Sequence, residues 1–223
     1  MSEIINNYKK IINQIENYKK EFSRTARNPE LIAVSKTFSS DKIQIIIDEG
    51  QRIFGENKVQ EAQKKWTKLK STNKGIELHL LGPLQSNKIK PALEIFDVIQ
   101  TIDREKVVVK IKKHLDLNVT EKKHKFFIQV NTGNEEQKSG VKINEVEEFL
   151  EWCTKKINLN INGLMCIPPV NEEPSIHFNI LRELCDRLGL VHSSMGMTID
   201  FKAAIQFGAT YLRIGSGIFG PRS

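Results

Sequence analysis

Leu31-Ile32-Ala33-Val34-Ser35-Lys36 carries four apolar residues and a serine directly into a lysine. A short apolar run bounded by polar residues is typical of a buried strand, and Lys36 lies where that strand leaves the core. A lysine held against apolar walls loses hydration, which disfavours its charged form, and a neutral amine can attack an aldehyde to form a Schiff base. The competing interpretation is a solvated surface lysine, since the chain has 34 lysine and arginine residues.

Seven further short apolar segments follow along the chain and alternate with helical patterns. These predicted strands cover residues 52–57, 76–81, 98–102, 126–130, 161–167, 191–195 and 211–214. The segments between them place apolar residues three and four apart, which predicts helices over residues 42–49, 59–70, 86–96, 105–117, 145–156, 175–188 and 200–207. A similar pattern over residues 3–22 predicts a helix ahead of the first strand.

Eight strands joined by helices indicate an α/β protein with a parallel sheet. Eight such units in 223 residues favour a closed (β/α)8 TIM barrel, preceded by the N-terminal helix. An open, doubly wound sheet is the alternative, although no Gly-x-Gly-x-x-Gly turn follows an early strand. Since no long linker divides the sequence, we expect one domain over residues 1–223.

The composition narrows the class of protein and its location. The net charge of +7 is compatible with nucleic-acid binding, but most of the lysine pairs fall among glutamates in predicted helices, which favours solvated helix faces. The three separated cysteines fit neither a disulfide framework nor a zinc site, and no metal site is expected. With neither a signal peptide nor an apolar run that spans a membrane, we expect a cytoplasmic protein with no nucleic-acid or membrane partner.

Polar residues and glycines follow the predicted strands. In a barrel of this type the carboxyl ends of the strands carry the active site. The residues at these ends are Lys36, Asn57, Gly82, Asp103, Asn131, Thr132, Cys166, Gly196, Met197, Thr198, Arg213, Gly215 and Ser216. We therefore expect the functional site at this end of the barrel.

Two glycine-rich loops, residues 193–198 and 213–217, follow the last two predicted strands. Each combines glycine with hydroxyl side chains, which suits an anion, and this is the usual phosphate site of the fold. Together with Lys36, such a site indicates pyridoxal 5′-phosphate (PLP), whose aldehyde would condense with the lysine. A sugar-phosphate aldolase is the other Schiff-base interpretation, although its lysine would more often follow a later strand.

Several motifs resemble those of the pyridoxal phosphate homeostasis proteins. The likeness extends over nearly the whole chain in the same order. The motifs are Ala33-Val34-Ser35-Lys36, Phe54-Gly55-Glu56-Asn57, Leu81-Gly82-x-Leu84-Gln85-x-Asn87-Lys88, Gly163-Leu164-Met165, Ser194-Met195-Gly196-Met197-x-x-Asp200-Phe201 and Arg213-Ile214-Gly215-Ser216-x-Ile218-Phe219-Gly220.

This resemblance implies a barrel similar to the N-terminal domain of alanine racemase, with a Schiff base on Lys36 and no established catalytic turnover. It further implies that Arg213 lies near the pyridine nitrogen and that Asn57 lines the cofactor face. Thr198, Gly215 and Ser216 would hold the phosphate; threonine replaces the commoner serine at position 198 and keeps the hydroxyl.

The residues also bear on whether such a protein is a carrier or an enzyme. Racemisation needs an acid/base group on each face of the substrate carbanion. In alanine racemase a tyrosine of the second domain serves one face, and none of Tyr8, Tyr18 and Tyr211 has an evident equivalent place. The residues therefore favour a PLP carrier over an enzyme. The resemblance implies a role in vitamin B6 homeostasis, with PLP-dependent apo-enzymes as candidate recipients, and we expect a monomer. A small amino-acid racemase is the alternative, with strand-end residues Asp103, Asn131 and Cys166 as candidates, of which Asp103 and Cys166 can transfer a proton.

Overall fold

Eight parallel strands close into a barrel in the computed structural model, which describes residues 3–118 and 122–221. The barrel strands are β1 (Glu30–Val34), β2 (Ile53–Glu56), β3 (Glu77–Leu80), β4 (Val98–Ile102), β5 (Lys125–Asn131), β7 (Gly163–Cys166), β8 (His192–Ser194) and β9 (Tyr211–Ile214), and a further short strand, β6 (Val141–Lys142), pairs with β5. The helices are α1 (Glu3–Glu21), α2 (Ser40–Asp48), α3 (Val59–Thr72), α4 (Ile89–Ile95), α5 (Glu105–Leu117), α6 (Val146–Glu151), α7 (Pro174–Arg187), α8 (Phe201–Gln206) and α9 (Ser216–Phe219).

The barrel closes because its first and last strands pair. In β1, Ile32 is in register with Arg213 of β9, and Ala33 is in register with Phe54 of β2. Parallel pairing continues through β3, β4, β5, β7 and β8 and returns to β9. The predicted (β/α)8 barrel with its N-terminal helix is therefore confirmed, and the open-sheet alternative is wrong.

Strand residues alternate between two apolar clusters. One cluster lies between the strands and the surrounding helices. The other lies inside the barrel and comprises Ile32, Val34, Leu81, Val98, Phe127, Met165 and Tyr211. Gly55 belongs to this interior layer, since a Cβ atom there would approach the Ile32 side chain to 2.9 Å. Because both faces of each strand are covered, the strands appear in the sequence as nearly continuous apolar runs.

The segment between β5 and β7 differs from its prediction. Between the predicted strand at residues 126–130 and the predicted helix at residues 145–156, the structure has an additional short strand, β6, which pairs with the end of β5. The single helix expected at residues 145–156 is divided into α6 and a π-helical turn, Trp152–Lys156. Such wider turns depend on packing rather than on the period of apolar residues, which remains helical across them.

Helix α4 begins at Ile89, three residues after the predicted start. Pro91 is therefore its third residue. A proline in the first turn removes no intrahelical hydrogen bond, because the N–H groups there have no partner within the helix. The later start therefore makes Pro91 compatible with the helix.

Helix α1 packs against α2, α8 and α9. Asn7 Nδ2 donates a hydrogen bond to the Ile218 carbonyl at 3.3 Å, and Ile11 lies close to Gly217. The N-terminal helix thus supports the segment that follows β9. Within the described ranges, no helix is both long enough and apolar enough to cross a lipid bilayer.

Candidate functional site

A cavity of about 280 Å³ opens at the carboxyl ends of the strands. All six residues predicted for the site line it: Lys36, Asn57, Thr198, Arg213, Gly215 and Ser216. Its other lining residues are Val34, Phe38, Leu81, Ile167, Met197, Ile199 and Gly220. The fold thus brings together residues from both ends of the sequence, while their individual roles remain predictions.

Lys36 lies on a tight turn directly after β1. The Ser35 N–H donates to the Gly55 carbonyl at 2.9 Å, which continues the β1–β2 pairing by one residue. The turn closes through a 3.2 Å hydrogen bond from the Phe38 N–H to the Ser35 carbonyl, and Thr37 has φ of +70°. A threonine in the left-handed region is strained, so the turn needs support from its surroundings.

That support comes from two side chains of α3. Lys65 Nζ donates to the carbonyls of Ser35 at 2.9 Å and Phe38 at 3.4 Å. Glu61 accepts a 2.5 Å hydrogen bond from the Thr37 N–H and forms an ion pair with Lys65 at 2.9 Å. Side chains of helix α3 therefore stabilise both ends of the Lys36 turn through hydrogen bonds to its backbone.

Glu56 is fully buried behind the same turn. Its Oε1 accepts hydrogen bonds from the Ser35 hydroxyl at 2.6 Å and Trp66 Nε1 at 3.0 Å, and pairs with Lys65 at 2.7 Å. Burial raises the pKa of Glu56, and Lys65 opposes that shift. We call Lys65, Glu56 and Glu61 the lysine clamp. The sequence analysis missed it, although a glutamate inside a buried strand signals that a cation lies nearby.

Hydroxyl groups from the two glycine-rich loops meet at one side of the cavity. The Ser216 hydroxyl and the Gly217 N–H each donate to Thr198 Oγ1 at 3.2 Å. A Cβ atom at Gly215 would come within 3.1 Å of the Val34 carbonyl, so glycine allows the β9 loop to lie close against β1. This concave arrangement of hydroxyl and amide groups has the chemistry of a phosphate-binding site.

A sharp turn after β8 places Thr198. Gly196 has φ of +88°, and a Cβ atom there would also overlap Ala204, so the position requires glycine. Asp200 accepts a 2.5 Å hydrogen bond from the Met197 N–H and closes the turn. Burial raises the pKa of Asp200, while this hydrogen bond and Arg213 lower it.

Arg213 is 5% exposed and borders the cavity from β9. Its Nη1 donates to Ser194 Oγ at 2.8 Å, and its Nη2 donates to the Cys166 carbonyl at 2.7 Å. Burial lowers its pKa, whereas Cys166 and Asp200 raise it. Two fixed acceptors on neighbouring strands therefore set the plane of the guanidinium group.

Apolar side chains form much of the remaining wall, and the sequence analysis did not select them. Ile167 and Ile199 are exposed at the rim, and Leu81 lies deeper. Gly82, which was not assigned to the site, lies against the Asn57 backbone, where a Cβ atom would overlap the carbonyl. Strand alternation could have revealed Ile167, since it follows Cys166 and faces the opposite way.

The residues considered for a second catalytic base lie outside this cavity. Asp103 forms an ion pair with Arg104 at 2.5 Å and borders another depression. Asn131 holds its own loop through Glu135. Cys166 is buried, which raises its pKa to about 12. The fold therefore does not bring these three candidates into the cavity.

Tyrosines are also absent from the cavity lining in the described part of the chain. Tyr8 is a buried residue of α1 whose hydroxyl donates to Gln51 Oε1, and the Tyr18 ring packs against Phe201. Tyr211 lies inside the barrel, where its ring contacts His79. Among the described lining residues, Lys36 and Arg213 have the ionisable side chains. The described ranges contain no group of His, Cys, Asp and Glu side chains arranged to hold a metal ion.

Comparison with known proteins identifies the class of barrel. Residues 9–223 match the family described as "Alanine racemase, N-terminal domain". Alanine racemase from Corynebacterium glutamicum has the same fold, with a TM-score of 0.64 at 16% identity, over 92% of this chain and 60% of that one. The fold is thus the barrel of the alanine racemase N-terminal domain.

Relatives that match the whole chain identify the family more narrowly. The pyridoxal phosphate homeostasis protein of Vibrio cholerae is 37% identical over 100% of this chain and 98% of its own. The structure of PipY from Synechococcus elongatus with PLP bound has a TM-score of 0.76 at 29% identity, over 92% of this chain and 100% of that one. The chain therefore belongs to the family of pyridoxal phosphate homeostasis proteins, as the sequence motifs predicted.

Proposed function

We propose that this protein binds PLP as a Schiff base on Lys36 and releases or transfers it within intracellular vitamin B6 homeostasis. The observation that carries the proposal is the joint placement of Lys36 and the two glycine-rich loops on one cavity. The names of the relatives and the PLP bound to PipY support it.

The residues of the cavity fit the parts of PLP. Lys36 supplies the amine for the aldehyde, and Thr198, Gly215 and Ser216 supply hydroxyl and backbone groups for the phosphate. Asn57 and the apolar wall provide a face for the ring, and Arg213 provides a donor for the pyridine nitrogen. When bound, PLP supplies a reactive aldehyde and a conjugated ring that can withdraw electrons.

Arg213 favours storage over broad amino-acid chemistry. A buried guanidinium group disfavours a second positive charge beside it, so a pyridine nitrogen held there stays unprotonated. An unprotonated ring withdraws electrons more weakly. The racemase alternative gains no support, because Asp103 and Cys166 lie away from the cavity.

An absorbance titration with PLP tests the proposal. We expect the wild type to develop a saturable band beyond the aromatic range, and Lys36→Ala to lose it. Lys64→Ala is the matched control, since Lys64 is an exposed lysine on α3, and it should bind as the wild type does. A full band in Lys36→Ala would refute the assignment of the Schiff base.

Transfer is tested with a PLP-dependent apo-enzyme. Adding PLP-loaded protein to an apo-aminotransferase should restore its activity while the carrier's band declines. An unchanged band and no restored activity would contradict release or transfer.

We also propose that the protein is a cytoplasmic, single-domain monomer. Light scattering should give the mass of one chain, and the mass of a dimer would contradict the monomer.

A further inference from the structure

A line of buried, hydrogen-bonded side chains crosses the inside of the barrel from Arg213 to the opposite end. Ser194 Oγ, which accepts from Arg213, donates to Gln100 Oε1 at 2.6 Å. Gln100 Nε2 lies 2.8 Å from His79 Nδ1, and His79 Nε2 lies 2.8 Å from Glu77 Oε1. We call these five residues the interior network. Ser194 and Gln100 belong to β8 and β4, which do not pair, so the network spans the barrel's width.

The two charged ends set the direction of the hydrogen bonds in the interior network. An arginine can only donate, so Ser194 accepts from Arg213, and its own hydroxyl proton goes to the amide oxygen of Gln100. The amide group of Gln100 then donates to His79 Nδ1. This assignment leaves the proton of a neutral His79 on Nε2, from which it donates to Glu77.

The middle of the interior network is closed to water, Glu77 at one end is half-buried, and the two ends carry opposite charges. Ser194, Gln100 and His79 are fully buried, and Arg213 is nearly so. Burial lowers the pKa of His79, which keeps its ring neutral, and the hydrogen bond from His79, together with Lys125, lowers the pKa of Glu77 to about 2. Glu77 is thus an anion at the amino end of the barrel, where it also pairs with Lys125 at 3.0 Å.

We propose that Ser194, Gln100 and His79 are positioning residues that hold the guanidinium group of Arg213 against the cofactor cavity. The inference rests on the proposed function, since the group that Arg213 faces would be the pyridine ring of PLP. Hydrogen bonds aligned in one sense polarise one another, so the anion at Glu77 strengthens the hold on the cation at Arg213.

The alternative is that these side chains only satisfy one another inside the barrel. Buried polar groups generally find partners, whether or not they serve a site. A positioning role predicts more than this. A change at Gln100, which is two hydrogen bonds away from Arg213 along the network, should alter the motion of the guanidinium group and the spectrum of bound PLP. Gln100 provides this test because it contacts Ser194 and His79 but does not line the cavity.

The test compares Gln100→Leu and Ser194→Ala with Ser193→Ala. Ser193 is also fully buried; although the predicted loop 193–198 includes it, it lies within β8 and outside the cavity lining, and its hydroxyl donates to the Gly208 carbonyl at 3.0 Å, outside the network. In protein without PLP, ¹⁵N NMR follows the exchange of the guanidinium N–H groups of Arg213, assigned by their loss in Arg213→Lys. We expect exchange at least about tenfold faster in Ser194→Ala, because it removes a hydrogen bond to a charged group, a smaller increase in Gln100→Leu, which removes a partner of Ser194 instead, and no change in Ser193→Ala.

The same variants are then titrated with PLP. We expect Ser194→Ala to bind at least about tenfold more weakly and Gln100→Leu to bind more weakly by a smaller factor, both with a displaced absorbance maximum, while Ser193→Ala matches the wild type. If exchange, affinity and spectrum are unchanged in Gln100→Leu and Ser194→Ala, the inference is wrong. If Gln100→Leu does not fold, Ser194→Ala, which removes one oxygen, decides the result.

Failure of the proposed function gives a different result. In that case the wild type itself forms no band with PLP. The NMR comparison would still show whether the interior network holds Arg213, so the two failures are distinguishable.

Discussion

Replacing Lys65 with methionine should destabilise the protein and loosen the Lys36 turn. The change removes the ion pair to Glu56 and leaves that carboxylate fully buried. Loss of one partner from a buried pair costs about 3–5 kcal/mol. Because Glu56 keeps its hydrogen bonds from Ser35 and Trp66, we expect the lower end of this range, about 3 kcal/mol, in urea-induced unfolding.

The loss of unfolding free energy in Lys65→Met should depend on pH in a defined direction. Without Lys65 the pKa of Glu56 rises further above its ordinary value. A carboxyl group with a raised folded-state pKa stabilises the protein at low pH, and this contribution is lost as the pH rises through that pKa. The deficit of Lys65→Met should therefore be largest above the raised pKa of Glu56 and shrink as the pH falls through it toward the ordinary range of a carboxyl group.

Two controls accompany this measurement. Lys64→Met, at the neighbouring exposed position, should change the free energy of unfolding by less than about 0.5 kcal/mol. Adding Glu56→Gln to Lys65→Met should recover much of the loss, since no buried charge then lacks a partner. A deficit below about 1 kcal/mol in Lys65→Met, or one independent of pH, would refute the role of the lysine clamp.

Three further predictions follow from the site and the core. Thr198→Val should weaken PLP binding about tenfold or more, while Thr198→Ser should not, and equal affinities in a PLP titration would contradict a phosphate role for the hydroxyl. Gly82→Ala should lower the free energy of unfolding by about 2 kcal/mol and reduce PLP affinity, since its Cβ would overlap the Asn57 backbone. Gly50→Ala is the control for PLP binding: its φ of +99° also strains an alanine, but the new Cβ meets no neighbouring atom and the position is outside the cavity lining, so an equal loss of PLP affinity would contradict this. Burial raises the pKa of Cys153 and Cys166 to about 12 and that of Cys185 to about 11. The native protein should therefore react slowly with a thiol reagent at neutral pH and rapidly once unfolded, and rapid reaction of the native protein would contradict the burial of its cysteines.

The barrel was predictable because its signals are local and repeated. Each βα unit carries its own apolar run and helical period, and eight of them in order leave few possible architectures. Features that depend on packing were not predictable. The π-helical turn after α6 and the short strand β6 have no distinct sequence period.

The site shows the same division between local and distant signals. Lys36, Thr198 and Arg213 stand at strand ends, where topology alone brings them to one edge of the barrel. The lysine clamp and the interior network instead depend on which side chains face each other. Gln100 and Ser194 are 94 residues apart, and a single sequence does not reveal that contact.

Borohydride reduction of the PLP-loaded protein, followed by peptide mapping, tests the central claim most directly. Reduction converts a Schiff base into a stable secondary amine, so the modified lysine keeps the added mass. We predict that this mass lies on Lys36 alone at one equivalent of PLP. A mass spread over surface lysines, or an unmodified Lys36 beside a saturated absorbance band, would contradict the account.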